Sequence, residues 1–180
     1  MRLFYAAIFT EKQLNTLKEI QARLHPLVLK GRFIEMEYFH ITLNFLGEIP
    51  VEKIREYGRE LDRAAKNLKP ENLNFTSFGT FRKKGEHLIY LKADSHDSRE
   101  WGLQTVTRKL KESIGEGDLR PIVPHITMVR RGILTAGNLQ KLKEIRLETP
   151  PIAIGSLALL ESVRIRGKLI YIPVHEVRLG

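Results

Sequence analysis

Phe39-His40-Ile41-Thr42-Leu43-Asn44-Phe45-Leu46-Gly47 is written with the period of a β-strand. Residues two apart on a strand share a face. His40 and Thr42 therefore project together, while Ile41, Leu43 and Phe45 turn the other way into apolar packing. The stretch is half core and half polar site. A second stretch, Pro124-His125-Ile126-Thr127-Met128-Val129-Arg130, follows the same plan, with His125 and Thr127 on one face and Ile126 and Met128 on the other. Gly47 follows His40 by seven residues, as Gly132 follows His125. Beyond them Ile54 and Leu139 share an offset, and so do Tyr57 and Leu142. Each half of the chain thus carries a strand–loop–helix unit of similar design. A match this short arises by chance often enough. It carries weight because the repeated residues are reactive ones.

Outward from these two stretches, strands and helices mix. Residues 2–9 read as a strand apolar on both faces, hence a central one. Thr10 and Gln13 form a capping box for a helix with Leu14, Leu17, Ile20 and Leu24 on one face, closed by Pro26. Residues 33–46 form a strand region long enough for a hairpin. Pro50 opens a helix carrying Val51, Ile54, Tyr57 and Leu61. Residues 72–81 and 87–93 read as an antiparallel hairpin about the turn Arg82-Lys83-Lys84-Gly85. A long helix is expected over 95–114, bearing Trp101, Val106, Leu110 and Ile114, with Gly115 as its stop. A loop over 115–120 and a strand over 122–130 follow. Thr135 caps a short helix with Leu139, Leu142 and Ile145. Residues 152–165 and 169–178 are terminal strands joined at Arg166-Gly167-Lys168. About four helices and at least one hairpin favour an α+β fold with antiparallel sheets over a doubly wound parallel sheet. No glycine-rich phosphate loop is present.

The chain has 180 residues, enough for one compact domain or two small lobes sharing a core. Lys and Arg number 30 against 21 Asp and Glu, a net charge of +9. That excess suits a polyanionic partner such as nucleic acid, and charge by itself equally fits a basic protein with no such partner. No cysteine is present. A disulfide framework, a thiol nucleophile and Cys-ligated zinc are thereby excluded. The apolar start, 1–9, is too short for a membrane span, and a cytoplasmic location is the default expectation.

The paired His-x-Thr elements suit phosphodiester chemistry. Imidazole has an ordinary pKa of about 6.5, so near neutral pH one ring can be neutral and another protonated. The neutral ring takes a proton from attacking water and the protonated ring gives one to the departing ribose oxygen. Thr42 and Thr127 can hydrogen-bond the non-bridging phosphate oxygens. One His-x-Thr alone reads more readily as a hydrogen-bonded structural histidine; two in matched strand contexts shift the balance to a site. The spacing is His-x-Thr rather than His-x-His, with no carboxylate cluster beside it, so neither metal nor cofactor is expected. His25, His87, His96 and His175 lack a matching hydroxyl and read as structural or surface residues. The basic turns at Arg82-Lys83-Lys84 and at Arg164, Arg166 and Lys168 either line an RNA path or are solvated. Tyr5, Phe45 and Tyr90 are candidates for stacking on bases, with Tyr5 and Phe45 better suited to the core.

At these residues the chain resembles the two-histidine phosphoesterase superfamily, and within it the bacterial and archaeal RNA 2′,3′-cyclic phosphodiesterases, also called 2′-5′ RNA ligases. The resemblance runs from Met1-Arg2-Leu3-Phe4-Tyr5-Ala6-Ala7-Ile8, like the family's first strand, through both motifs, including Arg130 five positions after His125. It implies a bilobal α+β fold over 1–180, with two antiparallel sheets in pseudo-two-fold symmetry around a cleft, helices outside, and one His-x-Thr motif from each lobe. It implies a monomer that hydrolyses an RNA terminal 2′,3′-cyclic phosphate to a 2′-phosphate, with reversible 2′-5′ joining of tRNA halves as a second reaction. A module that holds the RNA end without turnover is the alternative. By the same resemblance His40 is the proton donor, His125 the proton acceptor, and Thr42, Thr127 and Arg130 bind phosphate. Arg130 has the wrong parity for that role: on a regular strand it points away from His125. It reaches the cleft only if the strand bends, bulges or ends first.

Overall fold

A computed structural model describes residues 1–94, 102–114 and 123–180. Nine strands and four α-helices alternate along these stretches: β1 (Arg2–Ile8), α1 (Glu11–Ala22), β2 (Lys30–Phe33), β3 (Ile41–Glu48), α2 (Ile54–Ala65), β4 (Glu71–Lys83), β5 (Glu86–Asp94), α3 (Gly102–Ile114), β6 (His125–Ile133), α4 (Ala136–Glu144), β7 (Ile152–Ile154), β8 (Ser156–Ile165) and β9 (Lys168–Arg178). Residues 95–101 of the expected long helix, with His96 and Trp101, the stop at Gly115, the loop 115–120 and Ile122 lie outside the described residues.

The fold is α+β, and every strand pair is antiparallel. The order is β7-β4-β5-β6-β3-β1-β8-β9, with β2 added to β6. β1 lies between β3 and β8, as its two apolar faces require. Leu3, Tyr5 and Ala7 enter the main core, and Phe4 and Ala6 pack with Ala158 and Leu160 in a small cluster of their own. In α1, Thr10 and Gln13 form the capping box, and α4 is capped by Thr135. Two hairpins turn at Lys84-Gly85 and Arg166-Gly167, each with both residues at positive φ. That backbone matches the twist of the flanking strands. Residues 33–46 are not a hairpin. β2 ends at Phe33, a 3₁₀ turn occupies Met36–Tyr38, and β2 and β3 both reach β6 rather than each other.

Two features place the cleft. β3 and β6 join the two halves of the sheet through a single pair, Ile41 opposite Ile126. Gly155 alone separates β7, paired to β4, from β8, paired to β1. One extended run therefore ties strands from opposite halves, and the sheet must curl for this to happen. Among the described residues no helix is long and apolar enough to cross a membrane.

Candidate active site

The Ile41–Ile126 pair sets the site. Both isoleucines are fully buried, so the residues flanking them project from the opposite face. Counting one position along each antiparallel strand puts His40 across from Thr127 and Thr42 across from His125. Directly opposed residues have Cβ atoms about 4.5–5.5 Å apart and diagonal ones about 7–8 Å. The two imidazoles thus sit on one diagonal of a quartet and the two hydroxyls on the other. The sheet brings together all four residues of the paired motifs.

Both rings are held in the same way. His40 Nδ1 donates to the carbonyl oxygen of Tyr38 at 2.8 Å, and His125 Nδ1 to that of Val123 at 2.8 Å. A carbonyl only accepts, so each Nδ1 carries the hydrogen and each Nε2 is left for chemistry. His40 Nε2 lies 3.2 Å from Thr42 Oγ1. The carbonyl comes in each case from two residues upstream: the 3₁₀ turn presents Tyr38, and Pro124 keeps Val123 extended. Phe4 and Tyr171 pack against His40 with ring centroids at 5.1 and 5.0 Å. Tyr90 packs against His125 at 5.1 Å.

Burial under these rings lowers the His40 pKa to about 4, and the nearby charges of Arg130 and His125 act in the same direction against the opposing hydrogen bond to Tyr38. In the unliganded protein His40 is neutral at pH 7.

A bulge in each motif strand resolves the parity of Arg130. Along β1 the partners run from Tyr5–Asn44 to Ala6–Thr42, leaving Leu43 as an extra residue. Along β5 they run from Ile89–Val129 to Tyr90–Thr127, leaving Met128 extra. Leu43 and Met128 occupy the same place, three residues after each histidine. The consecutive residues Leu43 and Asn44 are both buried, as are Met128 and Val129. Alternation then resumes with reversed parity. Arg130 consequently lines a small pocket with Ile34, Tyr38, His40, Thr127 and Tyr171. Its Nε is buried with no hydrogen-bond partner among the described residues, a costly state that an anion in the pocket would relieve.

The same reversal corrects the expectation for Phe45, the counterpart of Arg130. It is 54% exposed and stacked on Phe4, rather than packed in the core. Tyr5 is fully buried, its hydroxyl donating to the Tyr57 carbonyl at 2.9 Å.

Gln21 contributes in a way its sequence position did not reveal. Buried on α1, it donates through Nε2 to the carbonyl of the bulged Met128 at 2.8 Å and to that of Ile34 at 2.9 Å. The backbone amide of Ile34 donates to the same Met128 oxygen. The bulge that aims Arg130 is thus pinned from the helix layer. A polar residue on the apolar face of α1 was the available signal.

The remaining described histidines lie elsewhere: His25 stacks on Phe33, His87 is buried opposite Gly132, and His175 pairs with Asp62 at 2.7 Å. Of the basic turn residues, Lys168 is engaged by Glu35 at 3.1 Å. No group of three or more His, Cys, Asp or Glu among the described residues is arranged to hold a metal ion.

Tyr90 owes its position to Gly79, its partner on β4. A Cβ at Gly79 would lie 2.3 Å from Tyr90 Cζ. Gly79→Ala is expected to force the ring aside and to destabilise the protein by about 1–3 kcal/mol. Urea unfolding measures this, and an unchanged midpoint would show that the ring contact is unimportant.

The family model for LigT-like phosphoesterases matches residues 8–90. An RNA 2′,3′-cyclic phosphodiesterase of Methanocaldococcus jannaschii is 31% identical over 146 residues, spanning 80% of this chain and 78% of that protein. One from Aquifex aeolicus is 24% identical over 181 residues, spanning 98% and 96%. The crystal structure of a Thermus thermophilus protein superposes with a TM-score of 0.74 at 25% identity, covering 99% of this chain and 98% of its own. With a relative this similar over four-fifths of its length, the chain belongs to the LigT-like phosphoesterases, the two-histidine family of enzymes.

Proposed function

We propose that this protein opens the 2′,3′-cyclic phosphate at an RNA end to a 2′-phosphate, with His40 and His125 as its acid–base pair. Water attacks phosphorus as His125 Nε2 takes its proton. The P–O3′ bond breaks as His40 Nε2 gives a proton to the departing 3′ oxygen. Thr42 and Thr127 hold the non-bridging oxygens by hydrogen bonds, and Arg130 faces their growing charge. Each proton transfer of this kind is typically worth about 10²–10⁴-fold in rate.

The observation that carries the reading is the quartet around Ile41 and Ile126: two rings on a diagonal, each with Nδ1 committed to a carbonyl and Nε2 left over. A diagonal of about 7–8 Å between Cβ atoms suits two rings that approach one phosphorus from opposite sides. The buried, unpartnered Arg130 Nε beside His40 adds an anion site. The names of the relatives supply the substrate.

His40 must carry a proton to serve as donor, and in the free protein it does not. The cyclic phosphate provides the missing charge. Its anion offsets Arg130, raises the His40 pKa, and recruits the proton together with the substrate.

The test is incubation with a 2′,3′-cyclic mononucleotide and with a short RNA bearing the same end, the product read by ³¹P NMR. A 2′-phosphate is expected from both. A 3′-phosphate contradicts the assignment of the leaving oxygen, and binding without product leaves only a module that holds RNA ends. Adding tRNA halves without ATP tests whether a 5′-hydroxyl can replace water, forming a 2′-5′ linkage as the same P–O3′ bond breaks.

A further inference from the structure

A second concavity adjoins the quartet. It is a groove of about 490 Å³ whose lining includes Thr76, Ser77, Tyr90, Lys92, Lys143 and Arg146. Its place follows from register. Lys92 pairs with His125 and Tyr90 with Thr127, and directly opposed residues share a face. Lys92 and Tyr90 therefore stand on the cleft side, next to the motif. One strand further out, Ser77 pairs with Lys92 and Gly79 with Tyr90. The groove runs from His125 across β5 to β4, about two strand spacings or ~10 Å. Its far wall is the end of α4 and the segment after it. That segment is fixed to β4 by the Leu147 amide, which donates to the Thr76 carbonyl at 2.9 Å.

The lining has one chemical character. It holds three cations, two hydroxyls and an aromatic ring, with neither Asp nor Glu among its described residues. Arg146 is oriented from within, its guanidinium donating to the carbonyls of Lys143 and Ile145. Tyr90 is the shared wall: its ring packs on His125 on one side and lies over Gly79 on the other. A basic groove with hydroxyls and an aromatic wall fits the backbone of a single nucleic-acid strand. Here it begins at the base of the acid–base pair.

We infer that this groove is a binding subsite for the RNA strand behind the cyclic end. Lys143 and Arg146 hold the phosphodiester of a neighbouring nucleotide, and Lys92 bridges from it towards the quartet. The inference rests on the proposed reaction for its orientation, since it takes the reacting phosphate to lie between His40 and His125. It assigns the protein a preference for oligonucleotides over cyclic mononucleotides. A mononucleotide fills the quartet and leaves the groove empty.

The experiment compares wild type with the double variant Lys143→Ala/Arg146→Ala on uridine 2′,3′-cyclic phosphate and on a trinucleotide ending in the same group. In the variant, KM for the trinucleotide is expected to rise about tenfold, while the mononucleotide KM moves by less than about twofold. The dependence of log KM on log salt for the trinucleotide should become shallower by about one unit, since each lost phosphate contact removes about 0.7. Equal responses to the two substrates, or none to either, overturn the subsite. Binding of a fluorescent trinucleotide 2′-phosphate separates the two readings. If wild type turns over neither substrate but the variant still loses salt-sensitive binding, the proposed reaction fails and the groove stands. If turnover is normal and binding is unchanged in the variant, the groove fails and the reaction stands.

Discussion

His40→Ala and His125→Ala are each expected to lower kcat/KM on a 2′,3′-cyclic phosphate by at least about 10²-fold. Combining them should cost little more than the worse single change, because the two rings act on one bond-breaking event and their effects are not additive. The expectation comes from the way the rings are mounted. Each Nδ1 is tied to a backbone carbonyl two residues upstream, which aims Nε2 without constraining the rest of the fold. Both rings lie on the cleft side, opposite the buried Ile41 and Ile126, so their removal leaves the main core intact. A drop in activity with the unfolding midpoint preserved is the expected pattern. Near-wild-type turnover by either variant would remove the acid–base scheme, whatever the family resemblance. Each variant should also lose one limb of the pH–rate profile, a change that a merely structural histidine would not produce.

Arg130→Met is expected to reduce kcat/KM by about 10²–10³-fold, the usual cost of losing one donor to the charge that develops in the transition state. It should also move the His40 titration upward from about 4, because the positive charge of Arg130 is among the causes that hold it down. Burial remains the larger cause, so the rise is partial. Arg130→Lys separates the two effects. It keeps the charge, and with it a low His40 titration, while losing the planar fork that grips two phosphate oxygens. NMR titration of the His40 ring reads this directly. In wild type the free ring should be neutral at pH 6 and become protonated when a nucleoside 2′-phosphate binds, so the product binds more tightly as pH falls. A His40 that titrates at the ordinary value of about 6.5, or one indifferent to Arg130, contradicts this coupling. The depressed value also has a sign for stability. The unfolded chain takes up a proton that the folded chain refuses, so the contribution of His40 is present above about pH 6.5 and is lost as pH falls towards 4.

The two departures from the sequence reading share one origin. Strict alternation from His40 sends Phe45 into the core, and from His125 it sends Arg130 away from the cleft. Both residues lie beyond an extra residue, Leu43 or Met128, that a neighbouring strand leaves unpaired. A bulge of this kind has no composition of its own here, since Leu43 and Met128 are ordinary strand residues. The repeated five-residue offset from each histidine was the only trace of it. Its anchor is Gln21, more than a hundred positions from Met128 and in contact with it only after α1 docks on the sheet.

Local chemistry made much else readable. The capping box at Thr10, the cap at Thr135 and the glycine turns at Gly85 and Gly167 each depend on a few adjacent residues. The face shared by each histidine and its threonine depends only on the pleat.

Alternation, caps and turns lie within a few residues of one another, so the chain determined them unaided: an antiparallel α+β fold, a central first strand, and two His-x-Thr elements each half buried. Register between distant strands is a tertiary property, because it depends on which core solution lets the helices cover the sheet. Only that packing decided that Ile41 meets Ile126, that Arg130 turns into the pocket while Phe45 turns out of the core, and that Lys92 stands beside His125 with Lys143 and Arg146 across the groove.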